Sequence, residues 1–304
     1  MKKCNFNASS LALTIGKFGL LHKGHEAMLL KLSLSAQQRG LKPAIFSFNP
    51  SPALFFSQNL EKHGRVQSFS TIYNILTKRF NSNFAFFIKK FDKDFSLTSP
   101  ELFVKFLAKD LNVKYLTVGE NFSFGKNREG TTTVLQSLCK IHGIELEIQN
   151  LIIEQNEELS TTNLRKMLQE GKVDELNSHL AFNQKYSITG RVAHGQKLGS
   201  KIGFKTANVY LNSKMVAPKF GVYACDVVIS NRTFKGVVNI GVKPTVMQNS
   251  SPIAEVHLFD FNEDIYGKKI TIELKKFIRG EKKFNSLEEL IAQIKQDVIY
   301  ATNF

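Results

Sequence analysis

A change of rhythm partway along the chain is the feature that most limits what it can fold into. From Leu11 to about Ile153, short apolar runs alternate with helix-like stretches; from Tyr186 to Phe277, β-branched runs follow one another with turns and no helical pattern. Strands separated by helices argue a parallel sheet with helical crossovers. Consecutive strands with turns argue an antiparallel sheet, read here as a barrel. The first part offers strands at Leu11–Ile15, Ala44–Phe48, Phe84–Ile88, Lys114–Val118 and an extended Leu146–Ile153. Its helices follow His25 and span Ser68–Phe80, Ser99–Leu111 and Thr131–His142. A helical passage, Ser160–Glu170 and Val173–Leu180, leads into strands Tyr186–Val192, Gly221–Ile229, Phe234–Asn239, Ala254–Phe259 and Lys269–Phe277. Ser286-Leu287-Glu288-Glu289 is a capping box for a closing helix that runs to about Tyr300. With 304 residues the chain can hold two cores. The boundary is expected near Asn183–Lys185, giving an α/β domain over 1–183 and a β-barrel with a terminal helix over 184–304.

The stretch LALTIGKFGLLHKGH, Leu11 to His25, brings the first chemistry. An apolar run breaks at Gly16, and Met28, Leu29, Leu32 and Ala36 then recur at helical spacing. His22, Gly24 and His25 therefore lie at a strand-to-helix turn, where an open α/β sheet binds its ligand. Free N–H groups at the helix start favour phosphate oxygens. Gly24 lets main chain approach the ligand, and two histidines three apart can stabilise phosphate charge as it develops. A satisfied surface or core histidine is the plainer alternative.

Composition narrows the function. The net charge of +15 and pI near 9.6 suit either nucleic acid or a basic surface around sites for small anions. The basic residues are spread evenly, without an Arg-rich block or an aromatic RNA-binding segment, so small anions are expected. Cys4, Cys139 and Cys225 are too scattered for a metal cluster or a disulfide framework. No apolar run is long enough to span a bilayer, and the chain is read as cytoplasmic.

Four further constellations carry chemistry. Gly119–Gly125, GENFSFG, follows a strand and offers Asn121 to a ligand; Phe122 and Phe124 pack against that ligand or against their own domain. Ser160-Thr161-Thr162-Asn163-Leu164-Arg165 sets hydroxyls and a guanidinium on a first helical turn, as a polyphosphate clamp or a simple cap. HGQKLGSKIGFKTAN, His194 to Asn208, is a glycine-bearing basic loop followed by Thr206 and Asn208 at alternate positions, whose oxygens can ligand Mg²⁺ beside phosphate. Glu255, in AEVHLFDF, is either a paired structural charge or a general base.

Taken in order, GKFGLLHKGH, FSFNPSP, FDKDF, SPELFV, VGENFSFGKNREGT, STTNLR, GRVAHGQKLGSKIGFKTAN, GVYAC, GVVNIGVKPTV, AEVHLFDF, YGKKI and FIRGEKKFNSLEELIAQIKQD span Gly16 to Asp297. This succession resembles the bifunctional prokaryotic riboflavin kinase/FMN adenylyltransferase (FAD synthetase) family. The resemblance implies a Rossmann-like nucleotidyltransferase domain that adenylylates FMN to FAD with pyrophosphate release. It also implies a barrel domain that phosphorylates riboflavin to FMN, with ATP and Mg²⁺ used throughout. It carries ATP and FMN binding in the first domain onto Gly16, Phe18, His22, Gly24, His25, Asn121, Thr161, Thr162 and Arg165. In the second it carries nucleotide and riboflavin binding onto Gly195, Gly199, Gly203, Thr206, Asn208 and Arg279, Mg²⁺ onto Thr206 and Asn208, and the base onto Glu255. The chain departs from the family at Gly19, where aspartate is usual; at Asn49 and Ser51, for glutamate and histidine; and at Lys205, for proline. Both activities are expected, with altered FMN or magnesium affinity the outcome to watch. The alternatives are a kinase with a weakened adenylyltransferase site, another H-x-G-H nucleotidyltransferase such as an amino-acid-activating ligase, and a non-catalytic flavin- or RNA-binding module. No K-M-S-K-S segment supports the ligase.

Overall fold

The structure, a computed structural model, describes residues 9–81, 83–149, 153–154, 157–158, 160–195, 203–242 and 252–304. The chain divides into two units, Met1–Gly64 with Ser68–Leu159, and Arg65–Gln67 with Ser160–Phe304.

The first unit runs β1 (Leu11–Ile15), α1 (Lys23–Gln38), β2 (Lys42–Asn49), α2 (Pro52–Ser57), α3 (Leu60–His63), α4 (Phe69–Arg79), β3 (Ala85–Lys90), α5 (Lys93–Ser96), α6 (Pro100–Lys109), β4 (Val113–Gly119), α7 (Thr132–His142) and β5 (Glu145–Gln149). The two-residue strands β6 (Ile153–Glu154) and β7 (Glu157–Glu158) pair antiparallel after it. β1 to β5 form one parallel sheet in the order β3-β2-β1-β4-β5. Every residue of β1 is buried, as suits a largely apolar strand covered on both faces; its one polar residue, Thr14, donates its hydroxyl to Met28 Sδ at 3.4 Å. Phe103, Val104 and Leu107 of α6 and Leu135 and Cys139 of α7 share a core with Leu13, Ile15, Leu116 and Val118 of the sheet. The helix starts follow the capping residues in the sequence. Ser68, Ser99 and Thr131 accept from the main chain three residues on, and Ser99 precedes proline at the first helical position. The short helices α2, α3 and α5 were not expected; Ser51, Asn59 and Asp92 cap them. Burial pushes the Cys139 thiol up to about 11 and raises that of Cys225, so both are poor nucleophiles.

The second unit continues with α8 (Thr161–Glu170), α9 (Val173–His179), β8 (Ser187–Arg191), β9 (Ala207–Tyr210), β10 (Gly221–Ile229), β11 (Arg232–Gly241), β12 (Ile253–Leu258), β13 (Lys269–Arg279) and α10 (Leu287–Thr302). Its six strands pair antiparallel in the order β8-β13-β10-β11-β12-β9. Ala193, just past β8, donates its N–H to the Asn208 carbonyl on β9 at 2.8 Å, which brings the two edges together into a nearly closed barrel. β9 is the strand that sequence reading did not separate; it is four residues long. Tyr223, Cys225, Val227, Val238, Val256 and Leu274 fill the interior. Val222, Ala224 and Val237 face outward and pack with Ala301 of α10.

Helices α8 and α9 group with the barrel for visible reasons. Asn177 donates to the Leu274 carbonyl at 2.8 Å and accepts from Tyr186 N–H at 2.7 Å, and the Lys219 N–H reaches the Leu168 carbonyl at 3.1 Å. This packing division falls after Leu159, ahead of the change in rhythm near Asn183.

Arg279, at the end of β13, ties α10 down. Its Nε and Nη2 donate to Asp297 at 3.0 and 2.7 Å, and the Asp297 side chain is only 4% exposed. Removing one partner strands the other, which costs about 3–5 kcal/mol for a fully buried pair. Arg279 keeps some access to water, so Asp297→Ala should destabilise the barrel unit by about 2 kcal/mol, with Asp297→Asn milder. Urea unfolding of the full chain would read this as a downward shift of the barrel transition, and an unchanged midpoint would contradict it.

Candidate functional site: a histidine turn and an outer barrel face

In the first unit, β1 stands at the point where the strand order reverses. The chain leaves it for β2 and β3 on one side and returns to β4 and β5 on the other. Crossovers leave such a point in opposite directions, opening a crevice beyond the carboxyl ends of the strands. Gly16 to His22 fills the mouth of this crevice. The turn is anchored by Phe18, Leu20 and Leu21, all buried, and the Ser47 hydroxyl on β2 donates to the Lys17 carbonyl at 3.0 Å. Phe18 holds a left-handed φ of +41°, uncommon for a bulky residue and concentrated at functional turns.

His22 is the N-cap of α1 in extended conformation and is 8% exposed. The His22 and His25 rings lie 3.9 Å apart between centroids, and Phe18 sits 5.0 Å from His25. A Cβ on Gly24 would come within 3.0 Å of His22 Cε1, so the absent side chain lets the His22 ring fold against the helix start. His25 Nδ1 is buried with no hydrogen-bond partner among the described residues. Desolvation, and then repulsion from His22, hold the His25 imidazole well below its ordinary 6.5, so it is neutral at pH 7. An unsatisfied imidazole nitrogen at a helix N-terminus is suited to a ligand carrying negative charge.

The loop after β4 reaches the same sheet edge. Asn121 is exposed there. Phe122 and Phe124 stack on each other at 5.5 Å and pack on the domain's own core, Phe124 at 7% exposure against Phe103. The turn FNPSP holds two of the departures: Ser51 Oγ accepts from Leu54 N–H to cap α2, and the Asn49 carbonyl accepts from Phe91 N–H at 3.2 Å. An aromatic wall at this edge escaped sequence reading. Phe55 meets Phe56 and Phe91 at 5.2 and 5.3 Å, Phe48 joins through Phe91, and Phe56 is 69% exposed. The available signal was the count of 26 phenylalanines and the doublet Phe55-Phe56.

Thr161, Thr162 and Arg165 lie on the first turns of α8, in the second unit. Ser160 caps this helix, its hydroxyl accepting from Asn163 N–H at 3.2 Å. Arg165 is buried, which lowers its guanidinium from the usual value.

On the barrel, strand register assembles a second site. Asn239 on β11 is opposite Glu255 on β12, which is opposite Asn208 on β9. Directly paired residues share a face, with Cβ atoms about 5 Å apart. The flanking Ala254 and Val256 are fully buried in the interior, so the polar row faces outward. Asn239 was read only as part of a strand; a lone amide in an apolar run was its signal. A Cβ on Gly195 would lie 2.2 Å from Asn208 Nδ2, so only glycine allows the start of this loop to rest on that amide. Gly203 is exposed with φ +86°, and Gly199 lies outside the described residues. Thr206 lines a pocket of about 320 Å³ with Val192, Lys205, Phe261, Asn262 and Tyr266. His194 stacks on Tyr266 at 4.1 Å. Arg279 is engaged by Asp297, as described. Thr206 and Asn208 offer neutral oxygens of the kind magnesium accepts alongside phosphate, and Gly195 puts no Cβ against Asn208. No helix among the described residues is long and apolar enough to cross a membrane.

Two family patterns match the chain, FAD synthetase over residues 5–163 and riboflavin kinase over 182–304. The bifunctional riboflavin kinase/FMN adenylyltransferase of Bacillus subtilis is 34% identical, the alignment covering 94% of this chain and 89% of that one. The Escherichia coli K12 protein of the same name is 35% identical over 96% and 92%. A crystal structure from Streptococcus pneumoniae, described as a macrolide-efflux protein, superposes with a TM-score of 0.85 at 26% identity, covering 99% of this chain and 96% of that one. The order of the motifs, the two sheets and these relatives agree: the chain belongs to the bifunctional riboflavin kinase/FMN adenylyltransferase family, and it is a riboflavin kinase and FAD synthetase.

Proposed function

We propose that residues 1–183 carry the adenylyltransferase and 184–304 the kinase, with the residue roles that follow. In the kinase, Glu255 takes the proton of the terminal ribityl hydroxyl as that oxygen attacks the γ-phosphorus of ATP; the bond to the β-phosphate oxygen breaks and ADP leaves. Asn208 and Thr206 would hold Mg²⁺ with the nucleotide, and the ion would neutralise charge on the phosphate oxygens. Gly195, Gly199 and Gly203 are assigned to nucleotide and riboflavin binding, and Arg279 supports the flavin side through its tie to α10. The observation that carries this reading is the single outward row Asn239, Glu255 and Asn208, with the Thr206 pocket beside it.

In the adenylyltransferase, an oxygen of the FMN phosphate attacks the α-phosphorus of a second ATP, and pyrophosphate leaves. His22 and His25 bind and stabilise the phosphates at the start of α1. Gly16, Phe18 and Gly24 shape the turn, and Asn121, Thr161, Thr162 and Arg165 hold the remaining nucleotide. The exposed Phe56 wall offers a face for the isoalloxazine ring. The partners are thus ATP, riboflavin and FMN, in the cytoplasm, without nucleic acid or membrane. The efflux description of the pneumococcal structure finds no support in this chain's site chemistry.

Purified protein given riboflavin and ATP should yield FMN and FAD, resolved by chromatography. Glu255→Gln should lower riboflavin phosphorylation at least about 100-fold while FMN is still converted to FAD. His25→Ala should do the reverse, with FAD formation down about 100-fold. Loss of both activities in either variant would show that the two sites are not separable.

Binding of ATP should also move a proton. His25 is neutral in the free protein because its folded value lies below 6.5. Phosphate charge placed beside it raises that value, so binding near pH 7 takes a proton up. Calorimetry in buffers of differing ionisation enthalpy should show this uptake, and His25→Asn should abolish it. Buffer-independent heats in the parent protein would remove His25 from the phosphate site.

A further inference from the structure

The ladder between β9 and β12 pairs Tyr210 with Ile253, Val209 with Ala254, Asn208 with Glu255 and Ala207 with Val256, and stops there. Two residues before Ala207, toward the nucleotide loop, stands the carbonyl of Lys205. It lies at 2.8 Å from His257 Nδ1. A carbonyl can only accept, so His257 donates here and its Nδ1 carries a proton. Phe204 stands edge-on to the His257 ring at 5.3 Å and Phe259 lies at 6.0 Å, which restricts its rotation. His257 is two residues from Glu255 and therefore on the same outward face of β12. The side chain of Lys205 is held as well, its Nζ donating to Asn262 Oδ1 at 2.6 Å.

These contacts converge on one peptide. The Lys205 carbonyl and the Thr206 nitrogen share a rigid plane. Fixing the carbonyl fixes the direction in which Thr206, a residue that lines the pocket, leaves that plane. Lysine has no ring to restrain its own backbone and a long flexible side chain, so residue 205 must be held from outside.

We propose that His257 is a positioning residue of the kinase: its Nδ1–H holds the Lys205–Thr206 peptide so that Thr206 meets the magnesium–nucleotide, with the Lys205–Asn262 bond as the second tether. This rests on the assignment of Thr206 to the nucleotide. Groups that act through a ligand residue typically change binding 10- to 100-fold when removed.

The test is steady-state riboflavin phosphorylation by the full chain, with FMN-to-FAD conversion and thermal unfolding followed in parallel. His257→Ala should raise KM for magnesium–ATP about tenfold and leave KM for riboflavin unchanged. His257→Asn, whose amide nitrogen falls near the place of Nδ1, should recover most of that loss. Lys205→Met, which removes only the second tether, should give a smaller rise in the same constant. Thr206→Ala run alongside separates the two ideas. If it leaves the nucleotide KM unchanged, the assignment of Thr206 fails and this proposal with it. If it raises KM while His257→Ala does not, the proposal alone is overturned. Equal losses for riboflavin and nucleotide, or no recovery with asparagine, would also overturn it, because a merely structural histidine gives that pattern.

Discussion

Parallel pairing of β1 with both β2 and β4 is the constraint from which the first site follows. A strand paired on both sides and covered on both faces must be almost wholly apolar, and β1 is: its one polar residue, Thr14, is buried and donates its hydroxyl to Met28 Sδ at 3.4 Å. Such a strand presents chemistry only where it ends. The chain can leave its carboxyl end only into the crevice, and the turn that does so carries the histidines. The turn holds its shape because Phe18, Leu20 and Leu21 are buried beneath it. Burial of His25 itself, against Phe18 and His22, and then repulsion from His22 keep its imidazole neutral. Packing and electrostatics are here the same fact seen twice.

The barrel reaches its site by another route. Antiparallel pairing alternates side chains between the two faces, so one register decides what is inside. With Val256 opposite Val238 in the interior, Glu255 and its partners Asn239 and Asn208 must face out. A slip of one residue would drive a carboxylate into the apolar interior. The outer face is shared between two uses. Helix α10 covers Val222, Ala224 and Val237, held there by Arg279 and Asp297. The polar row occupies the strands beyond that cover.

The departures from the family pattern acquire local roles in this fold. Ser51 caps α2. The Asn49 carbonyl serves as an acceptor for the residue after β3. Lys205 exchanges a restrained ring for two hydrogen bonds, one at each end of the residue. Gly19 is buried within the anchored turn, and nothing in the structure explains why glycine stands there.

What the amino-acid order determined by itself was local. Ser99, Ser160 and Ser286 announced helices that begin one residue later, because a cap acts over three residues of the same chain, and the helices over Ser68–Phe80 and Thr131–His142 were legible to within a residue at their starts. β1 and β10 were legible to the residue from their apolar runs, and the histidine turn from its glycine and spacing. Short elements were not: β9 and the helices α2, α3 and α5 are too brief for periodicity to show. Partners were not legible either. That Asn239, Glu255 and Asn208 form one row, that Asp297 claims Arg279, that α8 and α9 pack on the barrel, and that His257 meets Lys205 all depend on which strands lie side by side. Pairing joins residues tens of positions apart through main-chain hydrogen bonds common to every sequence, so only the folded chain decides it.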